Sequence, residues 1–340
     1  MALTNVSTLG KKYGEDTSGS EWALFQSLNL PNCLQAYEHS TVTKGKAQEK
    51  GIASGDGLKF PVIGRGNAAF MPRGSNLDTI RGTGAGDTEV TITINAPLVS
   101  SERFTDDEVL RSINDAKDKK ISQCYTRIAQ SRDQALFAAV ADACIEQDEN
   151  IDFGKPVLKR VVNASFAKGY IDSTFGGQIS DSLLALAAEW DDNAVPAEGR
   201  FVFMRSSAFA SLRSTLTVLD RDYGATASLG GYENFMLHGM HIIRTPHLVA
   251  GSIANTGNVH PSLAPQPMSI AFPSDYVDSV LYVAWQSDAV GVLTRQGITS
   301  ESQRDLNTLS TLYAVYIFQG FGVIRPEGCG MAYGATTVNP

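Results

Sequence analysis

Three groups of residues in this chain have types and spacings that could do chemistry. The first is "FPVIGRGNAAF", residues 60–70, where an apolar run enters Gly64-x-Gly66-x-x-Ala69, the lettering of a dinucleotide fingerprint. Such a fingerprint holds a pyrophosphate only when a strand feeds the glycines and a helix leaves them, because the helix N-terminal amides do the binding. Here Phe70-Met71-Pro72-Arg73-Gly74 follows, and a proline with a glycine two places on breaks a helix in its first turn. The acid required about twenty residues later could only be Asp87, which instead precedes the alternating run "TEVTITI". The match is one of letters. The second group is His238, His241 and His247, close enough in sequence to invite a metal, but in a strand His238 and His241 point to opposite faces. The third is the paired acids, Glu189 with Asp191 and Asp192, and Asp220 with Asp222. They lack a partner base or metal-ligand spacing, and solvated helix ends and turns account for them. No G-x-S-x-G, H-E-x-x-H or P-loop occurs. No catalytic, metal-ligating or cofactor-binding residue is assigned, and no cofactor is expected.

The bulk numbers narrow the function further. The 340 residues are 43% hydrophobic and 19% charged, enough for one large or two ordinary domains, with no apolar run approaching the ~20 residues of a membrane helix. The N-terminus has no signal-peptide core, so the chain is expected to stay in the cytosol. Cys33, Cys124, Cys144 and Cys329 are scattered without a CxxC pair and read as buried thiols. Net charge is −8 and unevenly spread. Residues 1–168 carry 20 basic and 21 acidic side chains, while 169–340 carry 8 and 15 and contain no lysine. That is the wrong sign for gripping nucleic acid, which relies on Lys and Arg releasing counterions.

The elements that would position these residues begin with an arm. In "EWALFQSLNLPNCLQAY", Trp22, Leu24, Phe25 and Leu28 recur at helical spacing before Pro31. Next, "LKFPVI" and "EVTITIN" read as two strands flanking a Gly-, Arg- and Asn-rich middle, a hairpin able to project roughly 50 Å. Its arginines, Arg65, Arg73 and Arg81, stand beside Asp78 and Asp87 with Phe70 as the only aromatic, which suits protein–protein ion pairing better than base stacking. Thr105 to Glu108 is a capping box, so a helix is expected to begin near Asp106. No Pro or Gly occurs from Leu98 through Phe153, and "DAKDKK" (115–120) is expected to mark a bend. Beyond it Lys117 to Gln147 reads as a spine of 31 residues, about 45 Å. Ile121, Cys124, Tyr125, Ile128, Leu136, Ala139, Val140 and Ala143 form its apolar face, with Arg127, Arg132 and Asp133 elsewhere. Later segments alternate. "VLKRVVN" is a strand, Ser180 or Asp181 caps the helix "SLLALAAEW", "RFVFM" is a strand, and Ser206 or Ser207 opens a short helix through "AFASLR". "MHIIRTPHLV", "VLYVAW" and a long aromatic-rich tail are strands, so the fold class is α+β.

An arm, a projecting hairpin, one spine helix and an αβ lobe, without a catalytic motif, is the order of parts in tailed-phage capsid proteins. "GLKFPVIGRGNAAFMPRGSNLD", "EVTITINAPLVSSERFTDDE", "NAVPAEGRFVFMRSSAFASLR", "GMHIIRTPHLVAG", "DAVGVLTRQGITSESQRD" and "FGVIRPEGCGMAY" resemble, in that order, segments of the major capsid proteins of short-tailed podoviruses of the autographivirus kind. The resemblance implies the HK-ninety-seven-like fold. Residues 1–55 would be the N-arm, 56–100 the E-loop hairpin, 101–175 the P-domain with its spine helix, 176–273 the A-domain, 274–325 the returning P-domain strands and 326–340 the A-domain return. It implies self-assembly into pentamers and hexamers of an icosahedral shell enclosing double-stranded DNA without sequence-specific contact. The partners implied are a scaffolding protein separate from this chain and a portal protein at one vertex, with the presence of a decoration protein left open. No membrane is involved, and the setting is a virion assembled in the bacterial host cytoplasm. Arg65, Phe70, Met71, Arg73, Asp78 and Arg81 are the expected hairpin contacts between subunits, and Trp22 and Phe25 the arm's anchors. Some relatives of this fold cross-link through a hairpin lysine. Residues 60–89 contain none, and with Lys59 the only nearby candidate no covalent cross-link is expected. Two alternatives remain: an encapsulin-like compartment shell, and a dinucleotide-binding enzyme.

Overall fold

Residues 98–153 hold no helix breaker, and the long helix this permits is the element from which the rest of the order follows. The computed structural model describes residues 37, 41–64, 70–74, 76, 87–94, 96–106, 116–148, 154–162, 173–222, 234–248, 274–276 and 279–335. In chain order the elements are β1 (Gln48–Gly51), β2 (Gly57–Val62), β3 (Thr88–Thr93), β4 (Leu98–Thr105), α1 (Ala116–Glu146), β5 (Val157–Val162), α2 (Ser173–Asp192) and β6 (Arg200–Arg205). There follow α3 (Ser206–Asp222), β7 (Asn234–Leu237), β8 (Met240–Thr245), β9 (Val280–Gln286), β10 (Val290–Asp305), β11 (Ser310–Val323) and β12 (Cys329–Ala335). This is the mixed α+β class expected. The 31 residues of α1 lie one position from the expected spine, and 116–120 of "DAKDKK" are helical where a bend was expected. The helix ends with Gln147 at φ 55° and the Asp148 amide donating to the Ala143 carbonyl, a left-handed cap with glutamine where glycine is usual.

The chain divides into two compact units: residues 1–44, 96–133 and 295–319, and residues 45–95, 134–294 and 320–340. In the first, β4 pairs antiparallel with β11 from Ser310↔Thr105 to Ile317↔Leu98. Alternation along β11 turns Tyr313, Val315 and Ile317 to one face, where they pack with Phe104, Tyr37 and the α1 residues Ile121, Cys124, Tyr125, Ile128 and Ala129. The Tyr125 and Tyr313 hydroxyls lie 3.3 Å apart. Arg132 and Asp133, expected away from the apolar face, are both buried. For Asp133 the reason is non-local. Its carboxylate accepts from the Val42 amide at 2.8 Å and from the Thr43 amide and hydroxyl at 3.3 and 2.5 Å, so it fastens the segment leading out of the N-terminal region.

The second unit is built on a six-stranded sheet ordered β5-β12-β9-β6-β8-β7, with β6–β8 and β5–β12 parallel and β9 antiparallel to both neighbours. One face carries Val202, Met204, Ile242, Tyr282, Ala284 and Ala332 against α2 and α3, whose contributions include Leu183, Trp190 and Phe209. On the other face Phe203 stacks on Trp285 at 4.2 Å between centroids, and Phe137 of α1 lies within 5.3 and 5.7 Å of the two rings. Helix α2 begins at Ser173, not at Ser180 or Asp181. The longer helix includes Gly176, which has a tertiary role. A Cβ on Gly176 would lie 2.1 Å from the Ser211 carbonyl oxygen, so glycine allows α2 and α3 to approach closely. Helix α3 outruns the short helix expected, reaching Asp222. Within the same unit β1 pairs parallel with the start of β10, and β2 pairs antiparallel with β3 from Gly57↔Thr93 to Val62↔Thr88.

Candidate assembly surface

The β2–β3 ribbon is packed on one face along its described length. Alternation in "GLKFPV" buries Phe60 and Val62, and Ile92 and Ile94 are buried on the return. Lys50 stands 4.4 Å over the Phe60 ring. On the outward side Lys59 pairs with Glu89 across the strands, both well exposed, an interaction worth little to stability. Past β2, Ile63 is 67% exposed, Phe70 104% and Met71 48%. Arg73 is exposed beside Gly74, whose φ of 89° makes the turn that a side chain would strain. These apolar side chains face solvent beyond Val62, the last buried residue of β2. Arg65, Asp78, Arg81, Trp22 and Phe25 lie outside the described residues.

The dinucleotide lettering meets a different geometry. The Gly64 amide donates to the Asp87 carboxylate at 3.1 Å, so the acid expected to bind a ribose instead closes the ribbon across its two strands. Residues 70–74 contain no helix, which removes the amides a pyrophosphate needs. The histidines have separate duties. His238 is not in a strand, as expected, but at φ 51° in a two-residue turn with Gly239 at φ 76°, joining β7 to β8. His241 stacks on Phe201 at 5.6 Å between centroids, and the amide of the buried His247 donates to Thr245 Oγ1 at 3.1 Å. Among the described residues no cluster of His, Cys, Asp or Glu could hold a metal, and no helix is long and apolar enough to cross a membrane. The described cysteines, Cys124, Cys144 and Cys329, are free and buried, and burial raises all three thiols above their usual range.

Glu189 and Asp191, expected as solvated acids, are ion-pair partners. Glu189 takes Lys159. Asp191 takes Arg200 at 2.7 Å, with the guanidinium almost fully buried while Asp191 stays exposed. Arg200 also donates to the carbonyls of Val195 and Pro196 at 2.6 and 3.0 Å and lies 5.6 Å over Trp190, so one side chain holds the α2–β6 connection. The side chains of Asp220 and Asp222 lie outside the description.

One exposed apolar feature was missed in the sequence. In the turn from β10 to β11, Leu306 and Leu309 are 73% and 59% exposed, and Leu309 has φ 45°. Asp305 braces the turn by accepting from the Thr308 hydroxyl and the Asn307 amide, bonds that hold its carboxyl below the usual range. The available signal was "DLNTLS", a turn whose apolar residues stand where Gly or Asn is usual.

Comparison with known proteins gives one consistent result. A family model described as "Gp10A-like: Major capsid protein" matches residues 59–332. The chain is 25% identical to the major capsid protein of Escherichia phage T7, with 97% of each covered, and 27% identical to that of Enterobacteria phage T3, with 95% of each covered. It superposes on the capsid structure of Cyanophage P-SCSP1u with a TM-score of 0.68 at 21% identity, covering 87% of this chain and 89% of the other. On the mature capsid of bacteriophage PhiM1 the TM-score is 0.63 at 13% identity, covering 88% of each. At such identities the structural likeness carries the fold, while the family match carries the kinship.

Proposed function

The chain belongs to the Gp10A-like family of major capsid proteins, and from that premise we propose that its glycine-rich hairpin is laid across the neighbouring copy to build the shell. The fold is the HK-ninety-seven-like capsid fold, the chain is a structural subunit of a phage head, and its family and relatives are capsid proteins, not enzymes. An enclosed-enzyme compartment is not favoured, since the matched sequences are phage capsid proteins.

The observation that supports the hairpin reading is Phe70, a fully exposed aromatic with Met71 beside it. A large apolar side chain in water represents unrealised stabilisation of about 1.5–3 kcal/mol, which burial in a partner recovers. Arg65, Arg73, Arg81 and Asp78 supply the charged rim, and Trp22 and Phe25 fasten the arm. Contacts of this head-to-tail kind are heterologous and close into rings, here the pentamers and hexamers of an icosahedral shell. Each is modest, and the shell gains stability because many act together. Residues 1–55 serve as N-arm, 56–100 as E-loop, 101–175 and 274–325 as P-domain, and 176–273 with 326–340 as A-domain. The acidic balance suits a container for double-stranded DNA that must not adsorb it. A scaffolding protein and a portal at one vertex complete the assembly, which proceeds in the host cytoplasm. Electron microscopy of the purified chain with its scaffold tests this: closed shells are expected, and a protein that stays monomeric at every concentration refutes it.

A further inference from the structure

Three glycines lie in strands whose backbone does not require them. Gly291 of β10 and Gly320 and Gly322 of β11 all have φ outside the left-handed region, so any residue could adopt their conformation, and glycine weakens a strand. What they share is a neighbour. A Cβ at Gly320 would lie 2.4 Å from the Thr93 carbonyl oxygen. At Gly322 it would lie 2.9 Å from Ile92 Cγ1, and at Gly291 2.6 Å from Ile92 Cδ1 and 2.8 Å from Ile324 Cδ1. Two hydrogen-bonded strands thus present a flat patch to the end of the hairpin's returning strand, and Ile92, 2% exposed, fills it. We propose that Gly291, Gly320 and Gly322 form a seat for Ile92 and Thr93 that fixes the direction in which the hairpin leaves the subunit. They are positioning residues for assembly, acting through the two hairpin residues they receive.

The geometry amplifies small errors. Relieving the 2.4 Å contact requires a shift of about 1 Å, and across the ~5 Å between paired strands this is a rotation of about 0.2 radian. Ile63 lies five residues beyond Leu58, the partner of Ile92, or about 17 Å at ~3.3 Å per residue, so a ribbon that turns as one body, carrying the buried Phe60 and Val62 with it, moves Ile63 by about 3 Å. The exposed tip moves further, more than an apolar contact tolerates. The consequence for assembly rests on the hairpin being an inter-subunit contact, as proposed above.

The experiment measures direction and assembly separately. Spin labels are placed at Ile63→Cys and at Leu184→Cys on α2, with Cys33 replaced by serine and the described native cysteines buried. The distance between them is read by pulsed electron paramagnetic resonance in Gly320→Ala, Gly322→Ala and the unsubstituted chain. Both glycine variants are expected to fold and to raise the threshold concentration for shells at least tenfold; the distance should shift by about 3 Å in Gly320→Ala and by about half that in Gly322→Ala, whose contact is 2.9 Å and not 2.4 Å. Adding Ile92→Ala should restore distance and shells to Gly322→Ala, since the three atoms nearest its added methyl all belong to the Ile92 side chain. It should not restore Gly320→Ala, whose methyl meets backbone. Unchanged distances in both single variants overturn the seat. A shifted distance with shells at the ordinary threshold leaves the seat standing and refutes the hairpin contact on which the assembly effect rests. Should Gly320→Ala not fold, Gly322→Ala and its rescue decide the matter.

Discussion

Replacing Phe70 by serine should impair the shell and leave the subunit untouched. The ring is fully exposed within its own chain, so its removal costs the fold almost nothing. If it is buried by the next copy, its removal forfeits about 2 kcal/mol, the middle of the range for burying such a side chain. In a closed shell each copy donates one hairpin and receives one, so the loss is counted once per subunit. At 1.4 kcal/mol per factor of ten, the threshold concentration for shells rises about 30-fold. Light scattering over a concentration series, with scaffold present, gives the threshold, and a melting curve of unassembled subunit supplies the control. An unchanged threshold refutes the reasoning. So does a melting temperature lowered in proportion, because Phe70 would then be packed within its own chain.

Other substitutions probe the subunit itself. Ala194 sits at φ 55° after α2, where the Val195 amide donates to Trp190 and the Ala194 amide to Asp191. Ala194→Gly should stabilise by about 0.5–1 kcal/mol, since the left-handed penalty exceeds the entropy cost of glycine; a denaturant midpoint that falls contradicts this. Arg200→Ala strands the carbonyls of Val195 and Pro196 and should cost about 3 kcal/mol in chemical unfolding, with Arg200→Lys intermediate because it lacks the planar fork. Burial, and then the charge of Glu146, raises the Asp142 carboxyl to about 6. Its contribution to stability is therefore full below about pH 4 and lost as the pH rises through 6. Asp142→Asn should flatten that part of the melting-temperature profile, and an unaltered profile removes the assignment. Mature shells boiled in detergent should run as single subunits, because Lys59 is already paired with Glu89 and residues 60–89 contain no lysine; a ladder of multiples would show a cross-link.

Local chemistry determined a good part of this protein. The unbroken run from Leu98 to Phe153 made α1 legible to within one residue, alternation in "LKFPVI" and "EVTITIN" marked strands that are present, and the short aromatic and β-branched run "RFVFM" marked another. Proline at 72 and glycine at 74 by themselves exclude the dinucleotide helix. Tertiary structure alone decided where polar and small residues serve. Asp133 reads as an outward-facing acid until Val42 and Thr43, some 90 residues away, bring their amides to it. Nothing in the sequence marks Gly176 as the place where Ser211 approaches, or Gly291, Gly320 and Gly322 as the strand positions against which Ile92 and Thr93 lie. Periodicity reports which face of an element is apolar. It carries no information about which distant backbone will approach that face, and hydrogen bonding and close packing, being contact forces, are settled only when the approach is made.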